Sequence, residues 1–158
     1  MLQRINPRFL EILQGELAML ARLEVVLGLE MSALERRDID ALTENTKEKQ
    51  DLISSIEKLG RERRALLQGA GVATDKEAVQ ALVEAEPALR GQWSELESVL
   101  LRCQQQNQIN GILLEKGKQQ TRRLLGILLG EGNRKETELY DARGSTSPSF
   151  LHGRSVKV

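Results

Sequence analysis

Residues 89–128 read LRGQWSELESVLLRCQQQNQINGILLEKGKQQTRRLLGIL, and this stretch decides the fold. Its apolar residues recur at alternating spacings of four and three, which places them on one stripe of an α-helix. A helix of about 40 residues is roughly 60 Å long. Since only one side of it is apolar, the sequence predicts that the stripe packs against other helices. The stripe consists of Leu89, Trp93, Leu96, Leu100, Cys103, Leu114, Leu124 and Leu128.

The composition of the chain favours an all-α fold. Aromatic residues make up only 3% of the 158 residues, whereas sheet proteins are rich in aromatic and β-branched side chains. The 23 basic and 23 acidic side chains balance. No net field therefore favours nucleic acid or an anionic membrane as a partner.

The sequence also bears on localisation. No apolar run approaches the ~18 residues of a membrane span, so no direct membrane insertion is expected. The N-terminus lacks the charged-then-apolar layout of a secretion signal. A single cysteine, Cys103, suits a reducing compartment. These features predict a cytoplasmic protein.

Capping signals divide the upstream chain into three helices. Pro7 suits the first position of a long helix, and Asp38 suits the N-cap of a second one. Glycines in residues 69–71 are predicted to end the second helix. A capping box at residues 74–77 is predicted to begin a short helix that ends before Pro87. The fold class is therefore predicted as all-α, an antiparallel bundle of three long helices with a short connecting helix.

Two segments are predicted to lie outside a packed core. Residues 43–51 contain no apolar side chain, which favours a solvated tip of the bundle. The glycines of residues 130–132 are predicted to break the long helix. The predicted domains are therefore residues 1–130, the helical bundle, and residues 131–158, a short helix and a mobile tail.

The sequence offers little for catalysis. His152 is the only histidine and Cys103 the only cysteine, so neither a histidine-based triad nor a zinc site can be built. No glycine-rich phosphate loop follows a strand. Cys103 lies on the apolar stripe, which favours a small core residue over a nucleophile. We expect no enzymatic activity, no metal and no cofactor.

Asn107 and Asn110 occupy the middle of the apolar stripe, three residues apart on one helix face. One interpretation is structural, since a buried asparagine fixes register in coiled coils. The alternative is functional, with the two amides offered to a partner helix.

Four neighbouring residues support the functional alternative. Gly111 and Gly117 would leave room for another helix. Ile109 and Ile112 fall away from the main stripe, where a simple bundle would be polar, although scattered exposed apolar residues are common.

Two C-terminal motifs carry a family resemblance. The sequence Asn107-x-x-Asn110-Gly111, an apolar helix, and then Leu139-Tyr140-Asp141-x-x-Gly144 resembles the FlgN family of bacterial flagellar export chaperones. The architecture resembles that family over the whole chain, whereas only these motifs are specific. The family more often has glycine at the position of Asp141.

The resemblance implies a non-enzymatic chaperone. Such a protein binds the C-terminal helical segments of the hook–filament junction proteins FlgK and FlgL, prevents their early association and delivers them to the flagellar export gate. It further implies that Leu139 and Tyr140 contact the client or the gate, and the alternative is that they cap the end of the bundle. A self-associating coiled-coil adaptor is the competing function. The candidate partner-binding residues are Asn107, Ile109, Asn110, Gly111, Ile112, Gly117, Leu139, Tyr140 and Gly144.

Overall fold

The computed structural model describes residues 7–129, which form four helices. These are α1 (Pro7–Arg36), α2 (Ile39–Gly69), α3 (Lys76–Ala85) and α4 (Pro87–Leu129). No residue in this range lies in a strand, so the all-α prediction is confirmed. The short helix and the tail predicted for residues 131–158 lie outside the described residues. No helix between residues 7 and 129 has the length and apolar character that a membrane crossing requires.

Local side chains set the helix ends. Arg37 adopts a positive φ of 56° between α1 and α2, and the Asp38 carboxylate accepts a hydrogen bond from the backbone N–H of Ala41 at 3.0 Å, as predicted. Gly71, with a φ of 75°, follows the end of α2, where only a residue without a Cβ is unstrained.

The predicted capping box at residues 74–77 is wrong by one residue. Asp75 is the N-cap of α3, and its carboxylate accepts a hydrogen bond from the N–H of Ala78 at 2.7 Å. A carboxylate is also favoured at the positive end of a helix dipole, so Asp75 replaces Thr74 in this role.

Helix α1 is the centre of the bundle, because it packs along both α2 and α4, while α3 packs against α4. Arg63 bonds to Glu16 and Lys49 to Glu30, so α2 runs antiparallel to α1. Helix α2 thereby returns the chain to the end of the bundle where α1 begins, since Glu62 near its C-terminal end pairs with Arg8.

Helix α4 therefore runs parallel to α1. Cys103 lies beside Leu20, and Asn110 lies beside Leu27. Near the end of α1, Arg37 donates a hydrogen bond to the side chain of Gln120 at 2.7 Å. The last turns of α4 extend past this point.

The apolar core fills one end of the bundle. We call this end the proximal half: α1 up to Leu27, α2 from Leu52, all of α3, and α4 up to Cys103. The distal half is the remainder of the described chain, with α4 from Gln104. The buried core cluster comprises Phe9, Leu13, Leu20, Leu23, Leu27, Ile53, Ile56, Leu67, Val79, Leu82, Val83, Leu89, Trp93, Leu96, Val99 and Cys103. All of these residues belong to the proximal half.

Candidate functional site

The interior of the distal half is polar. Its buried residues include Glu30, Lys49, Asn107 and Asn110, which we call the polar layer. Ala33 is the only buried apolar residue among the described residues of this half. The two asparagines therefore stand where the proximal half has large apolar side chains.

The hydrogen bonds of Asn110 are directed into the bundle. Its Nδ2 donates to the backbone carbonyl of Leu27 at 2.8 Å and to Oε1 of Glu30 at 2.8 Å. Its Oδ1 accepts from Nε2 of Gln106 at 2.9 Å. These bonds fix the position of α4 along α1, which supports the structural interpretation of this asparagine.

The prediction of a solvated tip at residues 43–51 is wrong at Lys49. Its side chain is buried in α2, and its Nζ donates to both carboxylate oxygens of Glu30 at 3.2 Å. A buried charge is tolerated when it is paired and hydrogen-bonded. Glu30 was not predicted from the sequence, because its partner Lys49 lies on another helix, 19 residues away in the chain.

A second buried ion pair lies in the proximal half. Arg63 donates to the two carboxylate oxygens of Glu16 at 2.7 Å and 3.1 Å, and its guanidinium carbon lies 5.3 Å from the centroid of the Trp93 ring. Burial raises the pKa of Glu16, and the hydrogen bonds from Arg63 oppose this shift. The spacing from Glu16 to Glu30 in α1 matches that from Lys49 to Arg63 in α2. That match is the sequence signal that could have identified both pairs.

An open groove lies between the α1–α2 turn and the distal part of α4. Its volume is about 340 Å³. One wall includes Leu34, Ile39 and Leu42, and the other includes Gly117 and Leu125. The remaining lining residues are Ala33, Arg37, Asp38, Leu114, Lys118, Thr121 and Arg122.

Gly117 contributes directly to the open space. A Cβ added at Gly117 would meet no other atom within 4 Å, and the same holds at Gly111. Thr121, one turn after Gly117, is also small, and its hydroxyl donates to the Gly117 carbonyl at 3.0 Å. The groove therefore exists because small residues of α4 face the apolar α1–α2 turn.

The other predicted site residues occupy different positions. Ile109 and Ile112 are exposed on α4, and neither lines the groove. Leu139, Tyr140 and Gly144 lie outside the described residues.

Further apolar side chains surround the end of α4. Ile127 is 79% exposed, and its neighbours on the same helix are exposed as well. These are Leu124, Leu125, Leu128 and Leu129. An apolar surface of this kind on a folded domain indicates an interaction site.

Neither a candidate metal site nor a reactive thiol is found among the described residues. No group of three or more His, Cys, Asp or Glu side chains in residues 7–129 could hold a metal ion. The Sγ of Cys103 lies 3.6 Å from the Leu20 carbonyl oxygen, to which it donates. Burial and the nearby Glu24 carboxylate raise the pKa of this thiol to about 12, which leaves it protonated and unreactive near neutral pH.

Comparisons with known proteins connect this arrangement to one family. The family model described as FlgN protein matches residues 1–148. A crystal structure of a flagella synthesis protein FlgN from Pseudomonas aeruginosa, at 1.48 Å resolution, is similar in fold, with a TM-score of 0.64. The two sequences are 30% identical over a match covering 80% of this chain and 99% of that chain. A comparison with curated proteins finds no match.

Proposed function

The chain belongs to the FlgN family, and we propose that it is a non-enzymatic chaperone of bacterial flagellum assembly. Its clients are the C-terminal helical segments of the hook–filament junction proteins FlgK and FlgL. It holds these clients in the cytoplasm, prevents their early association and delivers them to the flagellar type III export gate. Family membership supports the flagellar chaperone role, and the groove beside α4 supports the mode of binding.

The groove carries the proposal because its lining suits the apolar face of a helix. Recognition of an amphipathic helix uses a hydrophobic groove that takes side chains from one face of the helix. Leu34, Ile39 and Leu42 supply such a surface, and Gly117 permits close approach. A client whose apolar stripe is exposed before assembly would otherwise aggregate.

Filling the groove tests the proposal. In the full-length protein, Gly117→Leu places a side chain in the groove and should weaken binding of a FlgL C-terminal peptide at least ~10-fold, measured by calorimetry. Gly91→Leu is the matched control, because Gly91 lies in the same helix and is also free of neighbours within 4 Å. Both variants should raise stability by about 0.5–1 kcal/mol through helix propensity. Unchanged binding in Gly117→Leu would show that the client lies elsewhere.

The proposed client-binding surface also includes exposed residues outside the groove. Ile109 and Ile112 would add apolar contact area, while Asn107 and Asn110 would act by holding α4 in register. Ile112→Ser should weaken client binding ~3-fold while stability changes by less than about 0.5 kcal/mol. Client binding equal to that of the original protein would limit the interface to the groove.

The proposal also gives the C-terminal motif a role in binding. Leu139, Tyr140 and Gly144 would contact the client or the export gate, since an aromatic ring with a polar edge is typical of binding hot spots. Tyr140→Ala should weaken one of these two interactions and leave the melting temperature within a degree or two. A large loss of melting temperature would instead assign Tyr140 to the packing of the bundle.

The exposed end of α4 also favours a second candidate function, the self-associating adaptor. Leu128 is 78% exposed and could pack against a second copy. Sedimentation equilibrium separates the two functions, because an adaptor forms a stable dimer at micromolar concentration without client, whereas the chaperone remains a monomer.

A further inference from the structure

The walls of the groove present large apolar side chains to solvent. On the α1–α2 side, Ile39 is 75% exposed. On the α4 side, Leu114 and Leu125 are 40% and 37% exposed. Gly117 lies between them in α4, and a Cβ placed there would meet no atom within 4 Å. Apolar surface that faces water costs free energy, so the structure favours an occupant that covers these walls.

The volume of the groove indicates how large its occupant needs to be. An apolar cavity of about 150 Å³ is large enough to hold one benzene molecule. The groove has a volume of about 340 Å³. It therefore has room for a phenyl ring with an aliphatic side chain beside it. Two adjacent large apolar residues are enough to fill it.

The sequence that follows α4 contains such a pair. Within residues 141–155, the only large apolar side chains are those of Phe150 and Leu151. Phe150 is also one of only two phenylalanines in the chain, and the other, Phe9, is buried in the proximal core. Neither the bundle nor the Leu139-Tyr140 motif accounts for Phe150. An apolar groove within reach would select this pair from its small and polar neighbours.

The connection from α4 is long enough to bring the pair to the groove. Helix α4 ends at Leu129, and Gly117 lies about 18 Å back along the helix. Residues 130–149 join Leu129 to Phe150, and a connection of about 20 residues spans up to ~70 Å when extended. Gly130 and Gly132 follow the helix directly, and glycine adopts the backbone conformations that a reversal of direction requires.

From the match of volume, apolar lining and reach, we propose that Phe150 and Leu151 of the same chain occupy the groove in the free protein and are displaced by the client. The two side chains pack against Ile39 on one wall and Leu125 on the other. The inference rests on the proposed function only in taking the groove as the client site, and it adds a regulatory step to client binding. An occupied groove also keeps these apolar walls from a second copy of the chain.

Competition from the same chain lowers the apparent affinity for the client. A tethered segment acts at an effective concentration that reaches the order of millimolar, so even a weak contact is populated. The apparent dissociation constant is the intrinsic constant divided by the fraction of molecules whose groove is open. If the pair is docked in about four-fifths of the molecules, client binding is ~5-fold weaker than in a protein without it.

Paramagnetic relaxation in the full-length protein tests the docking directly. Cys103 is the only cysteine, so Cys103→Ala provides a background in which Ser149→Cys accepts a single nitroxide label. The label lies next to Phe150 in the chain. It should broaden the methyl signals of Ile39, on the α1–α2 turn, and leave those of Leu13, near the other end of α1, unchanged.

Substitutions in the segment and in the groove assign the broadening. Phe150→Ser with Leu151→Ser should reduce the broadening at Ile39 at least ~3-fold, because the broadening follows the docked population. Val156→Ser with Val158→Ser is the matched control, since it removes two apolar side chains from the same segment, and it should leave the broadening unchanged. Gly117→Leu fills the groove and should remove the broadening.

Client binding tests the competition. By calorimetry, Phe150→Ser with Leu151→Ser should bind a FlgL C-terminal peptide ~5-fold more tightly than the original protein does. The control, Val156→Ser with Val158→Ser, should bind it as the original protein does. A saturating amount of the peptide should also remove the broadening at Ile39.

The contradicting outcomes are distinct. No broadening at Ile39, or broadening that survives Phe150→Ser with Leu151→Ser, would overturn the docking. Broadening that arises only between a nitroxide-labelled copy and a separate isotope-labelled copy would overturn it in favour of a second chain. Weaker or unchanged peptide binding by Phe150→Ser with Leu151→Ser would overturn the competition. Absence of peptide binding in every variant, with the broadening intact, would contradict the proposed function and support the docking.

Discussion

The proximal and distal halves of the bundle share the same three long helices but differ in which side chains they bury and which they expose. In the proximal half, leucines and other apolar residues from all four helices form a continuous core. In the distal half, the interior contains the polar layer, while large apolar side chains such as Ile112 and Ile127 are exposed. Folded domains usually bury apolar side chains and expose polar ones. The distal half departs from this arrangement on both counts.

From this contrast we propose that the proximal half supplies stability and the distal half recognises the partner. Burial of apolar area is the main stabilising term in folding, so the proximal half should hold the bundle together. The polar layer contributes less to stability, but Asn110 and the Lys49–Glu30 pair accept only one alignment of α4 and α2 on α1. A groove can then remain open in the distal half without loss of register.

The largest expected effect comes from a cavity in the proximal core. Leu23 is fully buried in α1, so Leu23→Ala should reduce the free energy of unfolding by about 2–5 kcal/mol. Leu114→Ala is the distal control and should cost less than about 1 kcal/mol, since Leu114 is 40% exposed. Urea denaturation followed by circular dichroism measures both. Similar losses would contradict the division of roles between the halves.

A smaller effect is expected from the polar layer. Glu30→Ala removes the partner of Lys49 and leaves a buried ammonium group, which should cost about 3 kcal/mol. Replacing both residues, in Glu30→Leu with Lys49→Leu, should restore or exceed the original stability, because a packed apolar pair needs no desolvation of charge. Urea denaturation of the single and double variants provides the comparison. A double variant as unstable as Glu30→Ala would show that the buried contacts of Glu30, with Lys49 and with Asn110, supply net stabilisation.

The fold was predictable from the sequence because local signals and helical periodicity agree. The period of the apolar stripe predicted α4, and Asp38 and Pro87 marked helix boundaries that the structure confirms. The N-cap of α3 was missed by one residue because Thr74 and Asp75 are both good caps. Only the backbone conformation decides between them.

The candidate site was less predictable because it depends on pairs of helices. Asn110 was identified from its position on the stripe, but its partner Glu30 belongs to another helix and no local pattern joins them. Ile112 was identified as exposed, yet the groove is formed by residues such as Ile39 and Leu42, which were read only as part of α2.

The smallest expected effect concerns Cys103, the last residue of α4 in the proximal core. Its pKa is raised from the ordinary value of 9.0 to about 12, first by burial and then by Glu24. Above pH 9 the unfolded chain therefore loses this proton while the folded chain keeps it. Stability from this group is complete below the unfolded pKa and is lost as the pH rises toward the folded pKa, by about 1.4 kcal/mol per pH unit.

Comparison with Cys103→Ala isolates this contribution, because the other titrating groups are common to both proteins. The free energy of unfolding of the original protein should fall by about 1 kcal/mol relative to Cys103→Ala between pH 7 and pH 10. Urea denaturation at the two pH values measures this difference. A constant difference would mean that the thiolate forms as readily in the folded state as in the unfolded state. Water would then reach Cys103, and the dry proximal core would end before the polar layer begins.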